Sequence, residues 1–445
     1  MKKRFIFIPL AILIVIAGVL IWACELRHPF GMGLSAELLE GLGPYMSESG
    51  GPGYKGEIDR RVTNSYIKQT STKVQVFPRQ EGNNYYRIPT LIQLTNGDLL
   101  AFADRRIGTI GDLPNTIEVV YKRSKNNGKT WSAARLVSPK CTSKANSHGD
   151  AGFILDRKTG NIICVVAAGN GFLKSTPDDP IRIKIIKSKD NGETWSEPVD
   201  ITPQIYGSAC KDTVRKNWHG VFAASGNGVQ LRNGRMLFVL NVRETEAKEL
   251  FIRNYVMYSD DGGDTWNVSK NAPQSDKSGD EAKIVELNDG TLLMAIRAKD
   301  IYQRRLAKST DNGETWGEAV FRSDLPSSAS NGDIIYYTST LNGWDTNRII
   351  TMFDSRPYTQ ATPPGDPKLY YSYDEGKTWK GKLIHSGQAG YSSLAILNDG
   401  SIGILAEIGG AWNGPIYFMR VNMKYITDNK DKGPFRRVVS ENKTK

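Results

Sequence analysis

The residues able to do chemistry in this chain are dispersed arginines, acids and tyrosines. They form no compact metal or nucleophile motif. His148, His219 and the four cysteines show no metal-ligand spacing, and no glycine-rich loop runs from a strand into a helix as a phosphate cradle requires. No metal or cofactor is therefore expected. What remains is Arg87 in Tyr86-Arg87-Ile88-Pro89, Asp112 in the loop from Gly108 to Asn115, and Glu281 with Glu286 on one short apolar stretch. Arg297 closes the apolar run from Leu292, and Tyr391 opens the run to Leu397. A planar guanidinium is the best bidentate match to a carboxylate, carboxylates move protons, and a phenol of pKa near ~10 attacks only with a base beside it. Taken singly, each has a plainer explanation. An arginine after a strand usually makes a surface salt bridge, a loop aspartate caps a turn, and Glu286 reads as a solvated strand residue.

The elements that would hold these residues announce themselves by repetition. Five segments share the pattern S-x-(D/N)-x-G-x-T-W: Ser124 to Trp131, Ser188 to Trp195, Ser259 to Trp266, Ser309 to Trp316 and Ser372 to Trp379. A second repeat interleaves with them, apolar runs folded about Asn96-Gly97, Thr159-Gly160, Asn233-Gly234, Asp289-Gly290 and Asp399-Gly400, each a hairpin turn. Counting Asn347 to Phe353 as a degenerate member gives six units over residues 73–425, about 59 residues each, enough for four short strands and their turns. This predicts an all-β, six-bladed β-propeller with Asp-box repeats, its last unit lacking a box and closed by the strand from Ile416 to Met423. Inside a box the Asp (Asn126 in the first copy) can bond its own turn, the Gly permits positive φ, and the Trp packs between strands. Boxes of this kind specify a fold and leave activity open.

The ends of the chain differ from its middle. Lys2, Lys3 and Arg4 precede an apolar run from Phe5 to Ala23, long enough to cross a bilayer with its positive end in the cytoplasm. Residues 1–24 are expected to be a signal anchor, or a lipoprotein signal ending at Cys24, so that the rest is exported and membrane-tethered, periplasmic or at the cell surface. Residues 25–72, with Gly-Pro and Ser-Glu-Ser-Gly-Gly-Pro-Gly, read as a linker, and 426–445 as a basic, solvated tail. The formal charge is +11, but the first four residues hold +3 and the stretch from Lys424 holds +4. Charge placed at the termini does not build a nucleic-acid face, and nucleic acid is not expected as a partner. Four cysteines are too few for a disulfide scaffold; Cys164 reads as a buried strand residue, while Cys141 and Cys210 leave one bridge open.

Arg-Ile-Pro at residues 87–89, then Ala103-Asp104-Arg105-Arg106, Asp112-Leu113-Pro114 and the five boxes resemble the sialidase (exo-α-neuraminidase) family, in its bacterial retaining branch, over residues 73–425. The resemblance implies three arginines on the carboxylate of a sialic acid. Arg87 and Arg297 match two of them. The third is Arg356 in Phe353-Asp-Ser-Arg356-Pro, with Lys368 as fallback, because an insertion follows here. It further implies Asp112 as acid/base, Tyr391 as nucleophile and Glu281 as its base, with Glu286 as the rival. Arg106 and Asp150 match pocket positions near the sugar's 4-hydroxyl and N-acetyl side; Arg105 should point away, since adjacent strand residues alternate faces. A neutral Tyr avoids the repulsion that a carboxylate nucleophile would meet at an anionic sugar.

The expectation is an exo-α-sialidase that hydrolyses terminal sialic acid from sialylated glycans or glycoproteins with retention. Two alternatives stand beside it: a non-catalytic glycan-binding Asp-box propeller, and a hydrolase for a related nonulosonic acid. The first would have lost the Asp, Glu or Tyr members, and all three are present.

Overall fold

The computed structural model describes residues 67–246, 250–297, 302–328, 330–356, 363–410 and 413–435. The expected membrane segment and most of the linker lie outside them, and among the described residues no helix is long and apolar enough to cross a membrane. The described strands form six antiparallel sheets of four or five strands, the blades of a propeller. Blade 1 comprises Gln80–Glu81, Asn84–Gln93, Leu99–Ile107, Ile117–Ser124 and Arg135–Leu136. Blades 2 to 5 follow in chain order. Blade 6 combines Ala389–Ile396, Ile402–Ile408 and Ile416–Val421 with Val74–Phe77 from the other end of the chain, which pairs antiparallel to Ile416–Val421. The ring thus closes on a strand from each terminus. One pairing departs from the simple pattern: Gly226–Asn227, leading into blade 3, runs parallel to Gly152–Phe153 of blade 2.

Apolar alternation and hairpin turns make the blades, and the boxes join them. In the second box the Asp190 carboxylate accepts from the Thr194 backbone N–H (2.9 Å) and from Ser188 Oγ (2.9 Å), and the Thr194 hydroxyl also bonds it. The Thr194 side chain and then its backbone N–H hold the Asp190 carboxyl down to about 2. The box glycine has a further duty. A Cβ on Gly192 would lie 2.8 Å from Leu100 of blade 1, on Gly313 2.6 Å from Leu237 of blade 3, and on Gly376 2.7 Å from Leu293 of blade 4. Each box therefore presses on the middle strand of the preceding blade, and even the first meets Phe418 of blade 6. The box packs between blades, where the sequence suggested packing between strands.

The chain does not leave the fold at residue 425. A short helix, Met423–Ile426, is capped by Asn422, and the following residues return to blade 5. Arg348 is bonded to both Asp345 (2.8 Å) and Asp431 (2.6 Å), Tyr373 donates to Asp431 (2.6 Å), and Phe435 is fully buried. The solvated tail expected from 426 is thus a clasp through at least Phe435, because the buried Arg348 divides its donors between the local Asp345 and the distant Asp431. Cys141, Cys164 and Cys210 are free thiols, so the bridge left open between Cys141 and Cys210 is not formed.

Gly313→Ala tests the interblade role of the box. It forces a Cβ onto a residue at φ 86° and into Leu237. The expected cost is about 2–4 kcal/mol, read as a lowered denaturant midpoint, whereas Gly262→Ala, with nothing within 4 Å, should cost clearly less.

Candidate active site

Antiparallel order puts the boxes and first hairpin turns at one end of the ring. The ends of the middle strands and the loops after them lie at the other, and Arg87, Arg106, Asp112, Asp150, Glu281, Arg297 and Tyr391 gather there. Three of the six innermost strands are interrupted at this end by a bulge: between Arg87 and Thr90, between Gly149 and Gly152, and between Ala389 and Ser392. A bulge frees an N–H and re-aims a side chain. In blade 1 the reason is local, since Pro89 has no N–H to give the ladder and Ile88 takes φ 60°.

The freed donors are collected by buried acids. Glu407 Oε1 accepts from Ile88 N–H (3.1 Å) and Arg87 Nε (3.1 Å), and Oε2 accepts from Arg87 Nη2 (3.1 Å) and Tyr391 N–H (3.0 Å). Asp104 accepts from Asp150 N–H (3.2 and 3.3 Å) and from Arg106 Nη2 (3.2 Å). Asp150 itself sits at φ 52°. Neither Asp104 nor Glu407 was selected from the sequence as a site residue, yet both carried a signal. Asp104, Asn241, Arg297 and Glu407 each lie seven residues after the glycine of their blade's first hairpin, at Gly97, Gly234, Gly290 and Gly400; Asp354 stands seven after Asn347. One repeat position, apolar only at Ala167, supplies a polar residue to nearly every blade. A charge at the end of a buried apolar run such as Ile402–Ile408 is costly unless paired.

Arg87 and Arg297 converge on Tyr391. Their guanidinium carbons lie 5.0 and 5.9 Å from its ring centroid. Arg297 Nη1 donates to the Tyr391 hydroxyl (3.0 Å) and bonds Glu281, while its Nε faces Asp280 at 3.4 Å. Phenol and carboxylate therefore share one arginine nitrogen. Burial, then the nearby Glu281 charge, pushes the Tyr391 phenol well above its ordinary value, so it is neutral at neutral pH. Glu281 lies just before the strand Ala282–Glu286 and is almost fully buried. Glu286, its rival, is elsewhere, accepting from Arg232 N–H (2.7 Å) in blade 3.

Asp112 belongs to a different blade and a different environment. Its carboxylate is 74% exposed, and one oxygen lies 2.6 Å from Arg106 Nη1. Arg106 is buried and divides its donors among Asp112, Asp104 and the Ile110 carbonyl (2.7 Å). Three carboxylates crowd this guanidinium, and burial first, then Asp104 and Asp112, pushes Asp150 well above the usual range. Arg105 points to the opposite face and bonds Glu118 (2.9 Å). Arg356 stands on the rim of blade 5 in a bidentate pair with Asp366, 26% exposed. Lys368 is on the next strand, its backbone opposite Phe353. Among the described residues no cluster of His, Cys, Asp and Glu could hold a metal ion.

A ring of Asp-box blades with a tyrosine-centred site of acid-paired arginines at one end defines the class. Residues 88–357 match the BNR repeat-like domain, and the chain belongs to that family. The chain is 33% identical to a sialidase of Micromonospora viridifaciens over 346 residues, 74% of this chain and 51% of that one. It is 29% identical to a sialidase of Bacteroides fragilis, over 72% of this chain and 60% of that one. It thus spans about half to three fifths of the length of these two relatives. Among solved structures, Hadza microbial sialidase Hz136 superposes with a TM-score of 0.68 at 26% identity, covering 83% of this chain and 70% of that one.

Glu407→Gln tests the anchoring of Arg87. It leaves a buried guanidinium without its counter-charge and should cost about 3–5 kcal/mol in a denaturant titration. Because Arg87 is then already unpaired, adding Arg87→Met should recover part of that loss.

Proposed function

We propose that this protein is an exo-α-sialidase acting on sialylated glycans with retention of configuration. One observation carries the reading: a buried Tyr and a buried Glu share Arg297 Nη1, a second arginine lies over the same Tyr ring, and an exposed Asp stands on another blade. This arrangement suits a sugar with a carboxylate on its anomeric carbon. Arg87, Arg297 and Arg356 take the carboxylate, which sets the anomeric carbon over the Tyr391 hydroxyl. Glu281 accepts the phenolic proton as Tyr391 attacks, and Asp112 protonates the departing glycosidic oxygen. A covalent tyrosyl glycoside, joined from the phenol oxygen to the anomeric carbon, results. Asp112, now a carboxylate, takes a proton from the water that attacks the anomeric carbon of that glycoside, the proton on Glu281 returns to the departing Tyr391 oxygen, and the two inversions sum to retention. Arg106 holds Asp112 in place, and with Asp150 it faces the sugar's 4-hydroxyl and N-acetyl side.

Two substitutions separate these roles. Tyr391→Phe should lower kcat on a fluorogenic sialoside by more than about 10³-fold, and retained activity would sink the mechanism. Asp112→Asn should lose about 10²–10⁴-fold on a sialyl-lactose yet much less on an aryl sialoside, whose leaving group needs no proton. Equal losses on both would remove Asp112 as the acid.

The reading extends to placement. Residues 1–24 would export the propeller and hold it at a membrane, with 25–72 as the reach between them. Full-length protein should then sediment with membranes, and a chain starting at residue 67 should be soluble; a soluble full-length protein would contradict the tether.

A further inference from the structure

A guanidinium presents two edges that can grip a carboxylate, the side edge with Nε and one terminal nitrogen, and the end edge with both terminal nitrogens. Glu407 takes the side edge of Arg87 through Nε and Nη2, both at 3.1 Å. Asp366 takes the same edge of Arg356, through Nε at 3.0 Å and Nη2 at 2.7 Å. In neither arginine does Nη1 donate to a described residue, so both leave that nitrogen, and with it the end edge, to a ligand.

Asp366 is itself held from several sides. It adopts φ 54°, a conformation that a non-glycine residue keeps only where its surroundings enforce it. Its N–H donates to the Gly387 carbonyl (2.8 Å), and Gly387 N–H returns to Asp366 Oδ1 (2.8 Å). Its carbonyl accepts from Ser355 N–H (3.2 Å) and Ser355 Oγ (2.7 Å), and the neighbouring Gly365 carbonyl accepts from Arg356 N–H (3.0 Å). The contact with the next blade is backbone to backbone, since a Cβ on Gly365 would fall 2.3 Å from the Gly387 oxygen. Gly387 leads directly into Ala389–Ile396, the strand that carries Tyr391.

We infer that Asp366 is a positioning residue for the substrate carboxylate. It orients Arg356 with its end edge outward and ties that arginine to the strand of Tyr391, repeating at blade 5 what Glu407 does for Arg87. The inference deepens the sialidase reading and rests on it. A part-exposed pair contributes little to stability. The elaborate anchoring of Asp366 is accounted for by orientation.

The test is steady-state kinetics on a fluorogenic sialoside, with thermal unfolding alongside, for wild type, Asp366→Asn, Arg356→Ala and the double variant. Asp366→Asn should raise KM about tenfold with kcat within about threefold and an unchanged unfolding temperature. Arg356→Ala should raise KM at least as much, and the double variant no further than Arg356→Ala alone, because Asp366 acts only through that arginine. An unchanged KM in Asp366→Asn would overturn the inference, as would a lowered one, which would make Asp366 a competitor of the substrate. Independent, additive effects would overturn it too. A wild type that cleaves no sialoside would sink the functional reading, and this inference with it.

Discussion

The Glu407 carboxylate, buried at the seam where the propeller closes, accepts four hydrogen bonds from two blades: two from Arg87, one from Ile88 N–H and one from Tyr391 N–H. Removing it would strand a guanidinium and two freed backbone donors in the interior. A buried pair of this kind is weak evidence for stability and better evidence for a specified geometry. Here it sets the separation of an arginine and a tyrosine that are otherwise independent. Its neighbourhood allows no looseness: a Cβ on Gly390 would come within 2.2 Å of Glu407 Oε2.

The same device recurs around the ring. Asp104 does for Arg106 and the freed Asp150 N–H what Glu407 does for Arg87, Ile88 and Tyr391, and it does so from the same place in its repeat. A repeat unit must carry apolar residues where blades pack, but the end of its middle strand carries a buried polar residue, Asp104, Asn241, Asp354 or Glu407, in four of the blades. Arg297, filling that place in blade 4, becomes the bridge between Glu281 and Tyr391. One position of the structural repeat, diversified blade by blade, thus supplies the anchors Asp104 and Glu407 and the bridge Arg297, while bulges re-aim the strands they hold.

Charge follows from this plan. Each site arginine arrives with acids: Arg87 with Glu407, Arg106 with Asp104 and Asp112, Arg297 with Asp280 and Glu281, Arg356 with Asp366. The acids at the site outnumber its four arginines. Under the proposed sialidase reading, selectivity for an anionic sugar would depend on which guanidinium edges stay open, and the overall +11 says little about it.

Much of the fold was legible in the chain because its causes are local. Box spacing, hairpin glycines and apolar alternation act within a few residues and predict six blades; Arg-Ile-Pro carries its own bulge, since Pro89 cannot donate. Asp112, Glu281, Tyr391, Arg87 and Arg297 could be marked through the family resemblance, which stores long-range information that composition lacks. Their partners could not. Glu407 is 320 residues from Arg87, and nothing near it in sequence shows which donors it will meet. The clasp from Asp431 to Arg348, the parallel strand at Gly226–Asn227 and the bond from Asp366 to Arg356 were decided only by tertiary structure. Local chemistry determines where a strand bends and turns. Closure of the ring determines which buried charges face one another, and a buried charge is assigned its role by whatever stands within about 3 Å of it.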